Sequence, residues 1–283
     1  QGYSSAASDV YKRQQVLSYL LKDTTMDKKD YTIINNAKNT IPEFGDTFEK
    51  CKKEHYKTLS IASHELLNHI SFLNSSYDLI SKTYPETKNM RFWNSMGTSI
   101  YEITNMMKRL NLCRYCTFPN KENVTLNDLI YQLPDEADNA YPDSERRFRF
   151  DIPTEKININ ADKEQLLIAF NEIVSNCYEA GNDNDIIDIS ASLSDDKTHC
   201  TITFTNTGTL PDIKIPKEFR QICTKDFYYP DDINILSMAF YTTKPGHFGL
   251  GLFIANTVCL NHDGCLDVTH DDTHTSFHLS FAI

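Results

Sequence analysis

The sequence lacks any apolar run approaching the ~18 residues that span a bilayer, so none of its 283 residues reads as a membrane segment. It is also short of basic residues. Lys and Arg total 28 against 39 Asp and Glu, a formal charge of −11. Nucleic acids and anionic membrane surfaces are held by basic surfaces, so general binding to either is excluded. A polyanion could be held only locally, by backbone amides or a metal ion. No secretory signal is visible, and the eight cysteines sit at scattered spacings. Cys113-Arg-Tyr-Cys116 has no second pair nearby, so it reads as two incidental thiols and not as a zinc site. Reduced thiols in a cytoplasmic protein are expected.

What is present is ordinary globular material: 40% apolar and 24% charged residues. At about 150 residues per domain the length predicts about two domains. Residues 1–14, QGYSSAASDVYKRQ, lack periodicity and resemble translated adapter read-through, so they are set aside as non-native. Residues 15–50 hold a short apolar piece, Val16 to Leu21, and then a polar linker with Pro42 and Gly45 as breakers.

From residue 51 the pattern is helical. Leu59, Ala62, Leu66, Leu73, Tyr77 and Ile80 share a stripe, and Pro85 ends it. Trp93, Met96, Ile100, Ile103, Met107 and Leu110 then follow a heptad seam. Residues 51–116 are therefore predicted to form an antiparallel helical hairpin. A lone hairpin buries only one seam, so pairing with a second copy into a four-helix bundle is expected, a homodimer.

Residues 117–123, with Phe118-Pro119-Asn120, read as a linker. From residue 124 to 283 alternating strands mix with helical spacing, and residues 206–248 form a long turn-rich loop. A helix is predicted from Gly249 to about His262, with Gly264 as its C-cap. The fold class is α+β: a long helical hairpin followed by an α/β sandwich with helices on one face of a mixed sheet. His262, His270, His274 and His278 read as surface residues.

Three segments can carry chemistry. Lys244-Pro-Gly-His-Phe-Gly-Leu-Gly251 places Gly246, Gly249, Leu250 and Gly251 ahead of an apolar helix. Glycines allow close backbone approach, and a helix N-terminus offers free N–H groups to phosphates. A flexible hairpin would show the same pattern. Glu172 and Asn176 lie four apart on one helix face, where a carboxylate and an amide oxygen suit Mg2+. Such pairs are more commonly a solvated stripe. Asn206-Thr-Gly208, at a strand end, makes either an ordinary turn or a side-chain acceptor for an adenine amino group.

Their order is more specific than any one of them. A polar helix, a strand ending in Asn-x-Gly, a long loop and Thr243-Lys244 before Gly-Leu-Gly resemble the Bergerat-type (GHKL) ATP-binding domain. The stretch Phe240 to Leu252 is similar to its histidine-kinase version. The resemblance implies ATP and Mg2+ as cofactors. Asn176 would hold magnesium with Glu172 beside it, Gly249 and Gly251 would cradle phosphates, and Thr243 and Lys244 would shape the lid. Asn206 stands where the family usually has Asp, and Leu210 replaces a glycine of that motif.

Upstream lies Ser63-His64-Glu65-Leu66-Leu67-Asn68. His64 is about 200° from Leu66 at ~100° per residue, so it faces away from the seam. An exposed imidazole beside a carboxylate is a candidate nucleophile, the acid orienting the ring and accepting its proton. The segment resembles the phosphoacceptor box of histidine kinases, with His69 where many members have Pro. The resemblance implies a two-component sensor histidine kinase that phosphorylates His64 and passes the group to a response-regulator aspartate. Asn68 would then position a water for dephosphorylation. The alternatives are a phosphotransfer scaffold with a decayed pocket, or a GHKL ATPase or serine kinase.

Overall fold

The computed structural model describes residues 37, 41–145, 147–182, 184–208, 239, 241–244 and 247–283. Residues 1–14, Val16 to Leu21, Gly246, Leu210 and the loop aromatics Phe227, Tyr228, Tyr229 and Phe240 lie outside them. The chain divides into two compact units at the Tyr115–Cys116 junction.

The first unit is a helical hairpin. Helix α1 runs Pro42–Thr83. Pro42 and Gly45 are therefore not breakers. Proline's fixed φ and missing N–H suit the first helical turn, where no N–H partner exists, and Gly45 is carried inside a long helix at modest cost. The chain turns through a short 3-10 segment, Pro85–Asn89, where buried Thr87 donates its hydroxyl to the Tyr84 carbonyl at 2.7 Å. Helix α2 then runs Trp93–Tyr115. Trp93 stacks on Tyr77 with centroids 4.8 Å apart, and its Nε1 donates to Ser81 Oγ at 2.9 Å. Gly97 faces the Tyr77 ring so closely that a Cβ there would overlap the hydroxyl. These residues fix the register of the closed end.

The second unit runs from Cys116 onward. Strand β1, Glu122–Thr125, pairs antiparallel with β3, Asn158–Ala161. Between them lie α3, Leu126–Ile130, α4, Leu133–Ala140, and β2, Arg147–Asp151. Helix α5 spans Lys163–Ala180, followed by β4, Ile186–Leu193, and β5, His199–Thr207. Helix α6, Gly251–Asn261, precedes β6, Cys265–His270, and β7, His274–Ala282. The main sheet has the order β2-β4-β5-β7-β6, with β2 parallel to β4 and every other pair antiparallel.

Period-two alternation gives this sheet one apolar face. Ile187, Ile189, Ile202, Phe204, Leu279 and Phe281 are buried, and the Phe170 ring of α5 lies 5.7 Å from Phe204 and 6.4 Å from Phe281. The other face carries Thr and Ser ladders, such as Thr201 on Ser280 and Thr205 on Ser276. No disulfide joins any of the described cysteines.

His262 departs from the surface reading. It is 3% exposed and joins the two helices of the layer. Its Nε2 accepts the Asp162 N–H at 2.9 Å, and its Nδ1 meets the Val258 carbonyl at 2.7 Å. Those partners select the neutral ring with its proton on Nδ1. Its position just past an apolar helix had no periodicity to mark it as buried. Burial pushes the His262 pKa down, and Lys121 adds to this against the opposing Val258 carbonyl, Asp162 and Asp263. His278, held between Thr203 and Thr269 hydroxyls, is lowered for the same first reason.

A histidine whose folded pKa is depressed contributes stability above its unfolded value of ~6.5 and loses it as pH falls below that. Urea melts should therefore show stability falling between about pH 7 and 5. His262→Leu should flatten part of that slope, leaving the share due to His278. An unchanged slope would remove His262 from the account. Asp196 and Asp271, both held at about 2 chiefly by Ser194 and Thr198 hydroxyls and by Thr273 and His274 N–H groups, act in a separate window below the usual carboxylate pKa.

Candidate functional site

Helix α5 is fixed at its start. Asp162 caps it, Oδ1 accepting the Gln165 N–H at 3.1 Å while Oδ2 accepts the Asn120 N–H at 2.8 Å. Leu166, Phe170, Ile173, Val174 and Cys177 are buried, so the helix cannot rotate without exposing them. That orientation sets the polar residues. Glu172 is 8% exposed. The Cys116 thiol, driven up to about 12 first by burial, is raised further by Glu172 and then Asp162. Asn176 is half-buried, and its Nδ2 donates to the Glu172 carbonyl at 2.9 Å. With its nitrogen tied to its own helix, the amide oxygen is the atom offered to a cation.

The last turn of α5 gathers the other segments. Gly208 has φ +128° and lies against Ala180, where an added Cβ would be 3.1 Å from the carbonyl oxygen. Only glycine takes that backbone without strain. Strand β7 and the turn before it hold Gly208: its N–H donates to the Thr273 carbonyl, and its carbonyl accepts from Thr275 Oγ1 of β7, each at 2.8 Å. Two residues earlier, Asn206 is 1% exposed. Its Nδ2 donates to the Thr207 carbonyl at 2.7 Å, and its buried Oδ1 has no hydrogen-bond partner. An orphan buried acceptor costs roughly 1–3 kcal/mol. A ligand with an exocyclic amino group would satisfy it.

The glycine loop reaches the same turn. Lys244 Nζ pairs with Glu179 Oε2 at 2.5 Å, and His247 Nδ1 stands 3.8 Å from the same oxygen. The Lys244 N–H is steadied by Thr242 Oγ1 at 3.1 Å, while Thr243 is exposed. Gly249 has φ +63°, and Gly251 opens α6 without a side-chain cap. The first N–H groups of that helix thus have no capping side chain and form an anion-binding end. Leu250 is 1% exposed, so it packs in the core and can offer a ligand only its backbone. The predicted helix start at Gly249 moves two residues on, because Gly249 takes the left-handed conformation that a helix excludes.

The residues present fit a purine nucleotide. One buried acceptor awaits an amino group, and uncapped N–H groups and a lysine await phosphates. Among the described residues no group of three or more His, Cys, Asp and Glu could hold a metal ion. A magnesium ion would therefore need phosphate oxygens alongside the Asn176 oxygen. No helix among them is long and apolar enough to cross a membrane.

In the hairpin, His64, Glu65 and Asn68 are all exposed on α1. The ring's partner is Asn68, whose amide lies 3.3 Å from Nδ1. Glu65 adjoins it in sequence.

The profile described as histidine kinase-, DNA gyrase B- and HSP90-like ATPase matches residues 161–283, which contain every nucleotide-site residue named above. The chain is 30% identical over 164 residues to the sensor protein VanS of Enterococcus faecium, covering 56% of this chain and 39% of that protein. Residues 161–283 thus match the ATPase family that includes the histidine kinases. The chain is also 27% identical over 128 residues to sporulation kinase A of Bacillus subtilis (strain 168), covering 45% of this chain and 18% of that protein. The chain thus spans well under half the length of either relative. Full-length ShkA, solved in complex with AMPPNP, shares the fold with a TM-score of 0.59 at 14% identity, over 80% of this chain and 45% of ShkA.

Four site residues escape a reading of the sequence. Thr275 props the Gly208 turn, and Glu179 anchors Lys244. Ser175 donates to Glu179 Oε1 at 3.4 Å, and the Tyr141 hydroxyl donates to Ser175 at 2.8 Å. Thr275 looks like any strand threonine in sequence. The Glu179–Lys244 contact joins residues 65 apart.

Proposed function

We propose that this kinase transfers the γ-phosphoryl group of Mg-ATP to His64, working as a homodimer. From there the group passes to an aspartate on a response-regulator receiver domain, and Asn68 supports its hydrolysis there. The observation that carries the reading is the buried, unpartnered Oδ1 of Asn206, seated beside Gly208 against the helix that bears Asn176. On this reading residues 51–116 are the phosphotransfer hairpin, 117–123 a linker and 124–283 the ATP-binding domain. The whole is the cytoplasmic portion of a sensor.

The residues divide the work. Asn206 Oδ1 accepts from the adenine amino group. Asn176, with Glu172 behind it, offers an oxygen to the magnesium ion. Gly249 and Gly251 present backbone N–H groups to the phosphates, joined by Thr243, Lys244 and Gly246. Bound Mg-ATP supplies the transferable phosphoryl group and its charge neutralisation, and phosphoryl transfer then needs mainly positioning. On the hairpin, the Asn68 contact at Nδ1 fixes the ring. Asn68 Nδ2 is the atom placed 3.3 Å from Nδ1; with the amide flipped so that its oxygen accepts from Nδ1–H, the Nε2 lone pair is free to attack.

The partners follow from exposed apolar faces. Leu66, Leu73 and Ile80 recur every seven residues and are 51%, 54% and 39% exposed, with Met96 and Ile103 of α2 each 42% exposed. This seam is what a second hairpin would cover. Ile61, Phe72 and Leu79 lie on the His64 side, with Phe72 72% exposed. They give a receiver domain an apolar foothold beside the nucleophile.

The test is incubation of the purified chain with γ-labelled ATP, with and without Mg2+. Acid-labile, base-stable label that requires Mg2+ is expected. ATP turnover with no such label would favour the ATPase alternative, and no magnesium-dependent ATP binding would favour the scaffold.

A further inference from the structure

Glu179 occupies an unusual position for a carboxylate. It lies one helical turn past Asn176, on the side of α5 that faces the glycine loop. Its Oε2 faces two side chains of that loop, Lys244 Nζ at 2.5 Å and His247 Nδ1 at 3.8 Å. The carboxylate is held from behind: Oε1 accepts from Ser175 at 3.4 Å, and Ser175 accepts from the Tyr141 hydroxyl at 2.8 Å. Tyr141 is itself fixed by stacking on Tyr178, centroids 4.3 Å apart. The Lys244 backbone is steadied by Thr242. Both partners of the ion pair are therefore held in place, and the pair is about one-third exposed on each side.

An ammonium group binds carboxylate and phosphate oxygens by the same charge-assisted hydrogen bond. In a chain of net charge −11, Lys244 is the cation that the described part of the glycine loop brings to this turn. We infer that Glu179 competes with the nucleotide's phosphates for Lys244, so that it is a specificity-determining residue which lowers phosphate affinity. The inference rests on the reading of this site as a nucleotide pocket. Phosphate binding must exchange the Lys244–Glu179 pair for a Lys244–phosphate pair, and no bond is made or broken. Glu179 thereby weakens ADP and ATP binding without touching the adenosine end, which depends on Asn206. A kinase whose product ADP leaves readily turns over faster at a given ADP concentration, which gives the competition a use.

The test is calorimetric titration of the full chain with Mg-ADP and with adenosine. It compares wild type, Glu179→Gln, Lys244→Met and the double variant. Glutamine keeps the side-chain length and the Ser175 contact but removes the charge. Glu179→Gln is expected to tighten Mg-ADP binding about three- to five-fold, the scale of a partly exposed ion pair. Adenosine binding should not change, and in the Lys244→Met background the gain should vanish. Tightening that persists without Lys244 would mean plain repulsion of phosphate and overturn the competition. Weaker Mg-ADP binding in Glu179→Gln would make Glu179 a support of the site and also overturn it. Adenosine binding with no change in Mg-ADP would sink this inference alone. If wild type bound neither ligand, the nucleotide-pocket reading would fall as well.

Discussion

Gly264→Ala is expected to cost about 4 kcal/mol or more, the range reserved for severe single substitutions. That is a large share of the ~5–15 kcal/mol that holds a domain together. A Cβ at Gly264 would overlap the Ser280 carbonyl, standing 2.9 Å from its carbon and 3.2 Å from the Cys259 oxygen. Both neighbours are backbone. Ser280 belongs to β7, which is paired on both sides, and Cys259 belongs to the last turn of α6. Neither can step aside as a flexible side chain would, so α6 must part from the sheet. Thermal melts should place the variant roughly 10 °C or more below wild type. Asp263→Gly is the companion variant. Asp263 has φ +57°, so glycine there should be neutral or mildly stabilising. A small loss in Gly264→Ala would mean that β6 and β7 shift readily against α6.

The pair also shows where the sequence is legible. The sequence makes Gly264 the C-cap, whereas the helix ends at Asn261 with His262 as its cap; the Gly264 N–H does close back on the Cys259 carbonyl at 2.8 Å. The reason read from the sequence is incomplete. The left-handed residue is Asp263, and the glycine answers to a strand 16 residues later, which no local pattern reports. The same limit runs through the site. Heptads, strand alternation and glycine spacing are local, so the hairpin, the strands and the glycine loop stand in the sequence. Contacts between distant segments are not local. Thr275 beneath Gly208, Glu179 against Lys244 and His262 between α5 and α6 each depend on elements that meet only after folding. Leu250 carries the opposite lesson: a residue inside a binding motif can serve the core. The linker breakers at Pro42 and Gly45 were misleading because proline both ends helices and starts them.

His64→Ala is expected to abolish the acid-labile label, by at least 100-fold and down to background, while leaving the fold and the nucleotide site alone. No other residue can replace a missing nucleophile, so the loss is of the reacting atom and not of a supporting contact. Its fold is safe because His64 is exposed, and substitutions at such positions usually lie within about 0.5 kcal/mol. Its nucleotide site is safe because Asn176, Asn206, Gly208 and Lys244 all belong to the other unit. Mg-ADP affinity should therefore match wild type. Asn68→Ala should retain label at a reduced rate, since it removes the ring's hydrogen bond at Nδ1 and keeps Nε2. The contrast between total and partial loss separates a nucleophile from a residue that orients it. Label surviving in His64→Ala would move the nucleophile elsewhere, and exposed His69, five residues on, would be the next to replace. Label lost together with Mg-ADP binding would instead tie His64 to nucleotide capture, contrary to the proposed division of the chain into a phosphoacceptor hairpin and a separate ATP-binding domain.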